Sequence, residues 1–150
     1  NLVREKNFLT PFEAGLTQLV SFDDQTDFLG KEALRRKHNL NHTTHLFHGL
    51  RLDPHAVKTA IEHSSCPSDI LSRVFWGSTS VYINEQRVGR ASSICRSPST
   101  EGFIALSFLE NSSVSVGQEV SVELPNSDGI IVSKVPATIT ETPFIKIRRT

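Results

Sequence analysis

The sequence predicts an α+β chain: a short helix-bearing N-terminal segment, then a mainly antiparallel six-stranded β-barrel. Three observations point to it. From residue 46 onward, six short runs rich in β-branched and aromatic residues are separated by turn signals, the pattern of a small barrel or sandwich. Residues 31–37 carry instead the signals of a short helix, with Arg35, Arg36 and Lys37 in the last turn, where cations suit the negative end of the helix dipole. Between them, residues 38–45 are Asn, His and Thr with a single Leu, a linker composition that sets the boundary between residues 1–45 and 46–150.

Each element has its own reason. Pro11 biases Thr10 toward extended backbone, and Gly15 permits a backbone shape a side chain would oppose. Residues 16–22 alternate in part, with Leu16, Val20 and Phe22 apolar, which predicts a half-buried strand. Residues 23–27 are a polar turn. The barrel strands are expected at 46–53, 80–84, 87–94, 102–109, 118–124 and 130–140, with a hairpin turn at Glu85-Gln86. Pro136 in the last strand predicts an edge or a bulge. Residues 54–79 read as an insertion outside the sheet. There Asp53 caps a helix that Pro54 opens, and Val57, Ala60 and Ile61 share one face. Because Phe75 and Trp76 are adjacent, at least one of them should anchor this insertion on the barrel.

Composition removes several function classes. Sixteen Lys and Arg balance sixteen Asp and Glu, so the chain lacks the basic footprint that nucleic-acid binding uses to release counterions. No apolar run approaches the ~20 residues of a membrane helix, so no membrane partner is expected. Two cysteines, Cys66 and Cys95, define no disulfide framework and read as reduced thiols of a cytoplasmic or mitochondrial-matrix protein. The chain opens on Asn1 and contains no methionine, which reads as a piece of a longer protein.

The order of short motifs carries a resemblance. TPFEAGL (10–16) and DFLGKEAL (27–34) are followed by Gly49-Leu50-Arg51-Leu52, Val81-Tyr82, Val88-Gly89, Ser93, Ser97-Pro98, Ile104-Ala105-Leu106 and Pro143-Phe144. This ordered set resembles the C-terminal part of the glycine-cleavage T-protein (aminomethyltransferase) family, which moves one-carbon units onto tetrahydrofolate. The chain departs from the family pattern at Gln18, Ile94 and Ser92, and in the length of the 54–79 connection. The resemblance implies tetrahydrofolate as cofactor and upstream domains of the same protein, with folate and a one-carbon donor, as partners. It also implies a folate pocket that this portion closes and supports, with the catalytic aspartate and most pterin contacts upstream. A non-catalytic regulatory or interaction domain of a T-protein-like relative is the alternative.

Candidate site residues follow from chemistry and position. No catalytic residue is expected within the chain. Glu13 is the acidic residue on a family-matched turn, and it reads either as a turn carboxylate accepting backbone amides or as folate-proximal. Arg90 and Arg96 suit the negatively charged glutamyl tail of a folate, since guanidinium pairs well with carboxylate. His38, His42, His45 and His48 have a helix-like spacing, but Asn and Thr between them disfavour a helix and no metal site is expected. Ser92, Ser93 and Ser97 lack the flanking glycines and acid–base partner of a nucleophile and read as strand hydroxyls.

Overall fold

The computed structural model describes residues 9–40, 45–63, 73–110, 112, 114–126 and 128–145. Helix α1 (Lys31–Asn39) is followed by strand β1 (His45–Leu52) and helix α2 (Pro54–Glu62). Strands β2 (Phe75–Ile83), β3 (Gln86–Ser97), β4 (Gly102–Glu110), β5 (Glu119–Pro125) and β6 (Ile131–Thr140) follow. All strand pairs are antiparallel, and the order β1-β4-β3-β2-β5-β6 closes into a barrel, as the alternation predicts.

Period-two patterning decides which side chains point inward. In β4 every second residue is buried: Phe103, Ala105, Ser107 and Leu109. They meet Leu50 and Leu52 of β1, Val81 of β2, Ala91 and Ile94 of β3, Val120, Val122 and Leu124 of β5, and Val135, Ala137 and Ile139 of β6. The polar residue Ser107 is tolerated because its hydroxyl donates to the His48 carbonyl at 3.0 Å. Helix α2 is started by Asp53, whose carboxylate accepts from the Ala56 N–H at 2.6 Å, with Pro54 in the first turn. It buries Val57 completely and packs Ala56, Ala60 and Ile61 on the core.

Pro136 lies in a closed barrel, where the expected edge does not exist. It sits where the β1–β6 ladder stops. The ladder runs from Gly49↔Thr140 to Leu52↔Ala137, and one further bond joins the Asp53 N–H to the Pro136 carbonyl. The Asp53 carbonyl, which would accept the N–H that proline lacks, instead takes the Val57 N–H of α2. Proline costs nothing where the partner strand turns into a helix.

Four further expectations need correction. Residues 16–22 form no strand: Thr17–Leu19 is a single 3-10 turn, with Leu16 and Leu19 exposed. The partial alternation there had no partner strand to satisfy. The connection after β1 is shorter than 54–79, because β2 begins at Phe75 and residues 75–79 belong to the barrel. Trp76 is no anchor. Its relative exposure is 79%, while Phe75 packs against the core as part of β2 itself. The hairpin turn falls on Asn84 and Glu85, both at positive φ (47° and 62°), one residue earlier than expected. Residues 64–72, which include the expected helix end at 64–68 and Cys66, lie outside the described residues.

Candidate functional site

The N-terminal turn is built around Glu13. Its Oε2 accepts the Thr10 backbone N–H at 2.8 Å and the Thr10 hydroxyl at 3.0 Å, while the Glu13 N–H donates to that hydroxyl at 3.2 Å. This reciprocal pair closes the turn much as a capping box closes a helix. Glu13 is 7% exposed, with its Oε2 bonded to Thr10. Gly15, at φ 72°, then brings the turn against the barrel, where a Cβ would stand 3.8 Å from the Phe47 ring.

Phe47 belongs to a row on the barrel's outer wall. In register it faces Phe108 of β4, which faces Arg90 of β3. The two rings are 5.2 Å apart at their centroids, and the Arg90 guanidinium lies 5.7 Å from the Phe108 centroid. One row further, His45 faces Glu110. Arg90, Phe108, His45 and Glu110, with Leu9, Arg87 and Gly89, line a cleft of about 260 Å³ between the N-terminal turn and the wall. Chemically, it offers aromatic and aliphatic surface beside cations.

Arg96 does not join this cleft. It lies six residues further along β3, roughly 20 Å of extended strand, past an irregularity at Ser93, and is exposed opposite Phe103. Glu13 is not in the lining, although Leu9, the residue before its turn, is. Arg90 alone of the three expected residues lines it.

The histidines go to separate places. His38 packs with Phe12 and Phe22, at centroid distances of 5.0 and 5.6 Å, while His48 stands opposite the buried Ser107. Burial holds the His48 imidazole below its ordinary pKa of 6.5. His42 lies outside the described residues. No group of three or more His, Cys, Asp or Glu side chains gathers among the described residues. Ser92, Ser93 and Ser97 are strand residues of β3. Cys95 is a free, half-buried thiol whose pKa burial pushes up, away from a reactive thiolate.

A second polar group, not foreseen from sequence, braces the opposite wall. Glu123 accepts the Tyr82 hydroxyl at 2.8 Å and the Ser80 N–H at 3.0 Å. Burial pushes its pKa up, and the bonds from Ser80 and Tyr82 outweigh that and hold it below the usual range. Lys134 lies 4.1 Å from the Tyr82 ring centroid and 2.6 Å from the Glu85 carboxylate. These residues tie β5 and β6 to the β2–β3 hairpin. Only the alternation of β5, which puts Glu123 on the outer face, hinted at them.

Comparison with known proteins places this architecture. A sequence model of the glycine cleavage T-protein C-terminal barrel domain matches residues 68–146. An aminomethyltransferase of Listeria monocytogenes serotype 4b (strain CLIP80459) is 30% identical over 138 residues, covering 92% of this chain and 32% of that protein. The aminomethyltransferase of Bacillus mycoides (strain KBAB4) is 26% identical over the same length, covering 92% and 31%. The crystal structure of glycine cleavage system aminomethyltransferase T from Bartonella henselae aligns with TM-score 0.63 at 20% identity, covering 91% of this chain and 32% of that one. At that identity the likeness speaks for the fold. The chain thus spans about a third of the length of the curated relatives it matches. Its barrel order, its matched residues and these relatives together identify it as a member of the glycine cleavage T-protein C-terminal barrel family.

Proposed function

We propose that this chain is the C-terminal portion of a tetrahydrofolate-dependent aminomethyltransferase or methyltransferase-like protein, closing and supporting a folate pocket whose catalytic residues lie upstream. In this reading residues 1–45 are the tail of the preceding folate-binding domain and residues 46–150 the C-terminal barrel. The upstream domains are its first partner. Folate and a one-carbon donor are its ligands, and the mitochondrial matrix or cytoplasm is its compartment. No helix among the described residues is long and apolar enough to cross a membrane.

The observation that carries the proposal is the unfinished N-terminal segment on a finished barrel. Among described residues 9–40, only Glu13 is buried, while Leu16, Leu19, Leu29 and Leu40 are 44%, 74%, 105% and 65% exposed. A segment of this kind has no core of its own and gains stability by burying those side chains against further protein.

Folate fits the cleft in part. Arg90, set on Phe108, offers a guanidinium for a carboxylate beside an aromatic face, which suits the benzoyl-glutamate end of a folate. When bound, tetrahydrofolate supplies the nitrogen that accepts the one-carbon unit. This chain's residues bind and orient: Arg90 at the cleft, and Glu13 as a brace holding the turn on Phe47. Arg96, at the far end of β3, is a surface arginine in this account.

The test uses the longer protein that carries this segment. Arg90→Gln should raise the KM for tetrahydrofolate with kcat little changed, because binding and not chemistry is lost. A kcat loss with KM unchanged would remove Arg90 from ligand binding. A longer protein that binds folate but shows no transfer would favour the regulatory alternative.

A further inference from the structure

We infer that Arg87 acts with Arg90 to make the outer-wall cleft selective for ligands carrying two carboxylates on an apolar body. This rests on the reading that Arg90 receives the acidic tail of a folate-type ligand, and it adds a second, specificity-determining residue.

Positions 87 and 90 are three residues apart, so in a regular strand their side chains would leave opposite faces. Here the β2–β3 register passes from Val81↔Gly89 directly to Tyr82↔Arg87. Val88 is therefore an extra residue, a bulge that directs its own side chain into the core at 2% exposure. With that residue taken out of the count, Arg87 and Arg90 sit two effective positions apart, roughly 7 Å, on the same outer face. Both line the cleft.

Neither guanidinium is spent. Among the described residues, neither Arg87 nor Arg90 is in an ion pair with an acidic side chain. Arg90 is held over Phe108, whereas Arg87 is exposed. Glu110, the acidic residue of the lining, follows Leu109 on β4 and so stands between His45 of β1 and the Arg87 end of β3, without an ion pair to Arg87. In a chain with no net charge, two unpaired cations beside an aromatic ring form a local feature that a dianion matches. The ligand's ring would lie on Phe108 and its two carboxylates on Arg90 and Arg87.

The test titrates the 150-residue chain with N-benzoyl-L-glutamate and with N-benzoyl-L-glutamine, which has the same shape and one charge fewer. Backbone amide shifts of residues 87–90 and 108–110 report binding, weak as it is. The dicarboxylate should bind roughly three- to fivefold tighter, the upper range for one exposed ion pair. Arg87→Gln should abolish that preference and leave the glutamine analogue's affinity within twofold. Arg87→Lys should restore most of the preference. Arg90→Gln should weaken both ligands by about tenfold, as loss of a charge-assisted hydrogen bond does. A preference that survives in Arg87→Gln overturns the role of Arg87 and leaves the parent reading intact. Equal binding of both ligands by the unaltered chain does the same. Amides at 87–90 unmoved by either ligand would remove the parent reading and this inference together.

Discussion

Gly89 and Gly49 carry no chemistry, yet each stands where a Cβ would collide with a neighbour. A Cβ at Gly89 would stand 2.3 Å from the Phe108 carbonyl oxygen, so only glycine lets β3 approach β4 there. A Cβ at Gly49 would stand 2.6 Å from the Phe144 ring, a side chain of the C-terminal segment. Arg51 also holds that segment, through the Phe144 carbonyl at 3.1 Å. Backbone moves less readily than a ring. Gly89→Ala should therefore destabilise more than Gly49→Ala, by about 3 kcal/mol against about 1 kcal/mol in urea unfolding. Equal losses would show that the C-terminal segment is as fixed as the sheet. His48 sets a pH dependence with a definite sign. Its folded pKa lies below the unfolded value of 6.5, so the unfolded state binds the proton more readily. Its contribution is intact above pH 6.5 and is lost as pH falls from there through the lower, folded pKa. The urea midpoint should drop over that interval, and His48→Leu should flatten the drop. Glycines and the histidine stood in plain view in the sequence, but what each touches depends on the partner strand, which local patterning does not give.

The elements were legible in proportion to how strictly they alternate. β4 buries every second residue and was readable within one residue of its ends, and α2 was readable from Asp53, Pro54 and the Val57 face. Asp53→Ala should cost about 1 kcal/mol, the usual loss of an N-cap, measurable as a lower thermal midpoint. β2 was read too short because its first residues break the pattern. Phe75 packs inward, Trp76 points to solvent, and the pairing with β3 skips between Phe75 and Ser78. Trp76→Ala should accordingly leave stability within about 0.5 kcal/mol, as for an exposed site. A loss of 2 kcal/mol or more would mean that Trp76 is covered in solution. The cleft was only partly legible for a related reason. Arg90 was visible as a cation on a strand, but the bulge that turns Arg87 to the same face appears only when β3 is set against β2.

At the scale of the whole molecule, a closed barrel carries a segment in which, among the described residues 9–40, only Glu13 is buried. The barrel supplies rigid walls, the Glu13 turn seats the segment on Phe47, and the exposed leucines leave it unfinished. Glu13→Gln removes the charge from the turn's internal hydrogen bonds and should cost about 1.5–3 kcal/mol of stability. In the longer protein it should lower stability more clearly than turnover. Catalysis of one-carbon transfer requires a proton-transfer group within hydrogen-bond reach of the reacting nitrogen. In this chain the Glu13 carboxylate is tied to Thr10, and the carboxylate in the cleft lining, Glu110, stands opposite His45. The central claim is thus that this chain supports binding while the chemistry lies elsewhere. It is tested most directly by measuring tetrahydrofolate-dependent one-carbon transfer by the 150-residue chain beside the longer protein that contains it. Turnover is expected from the longer protein and none above the uncatalysed background from this chain. Comparable turnover by the 150 residues alone would contradict it.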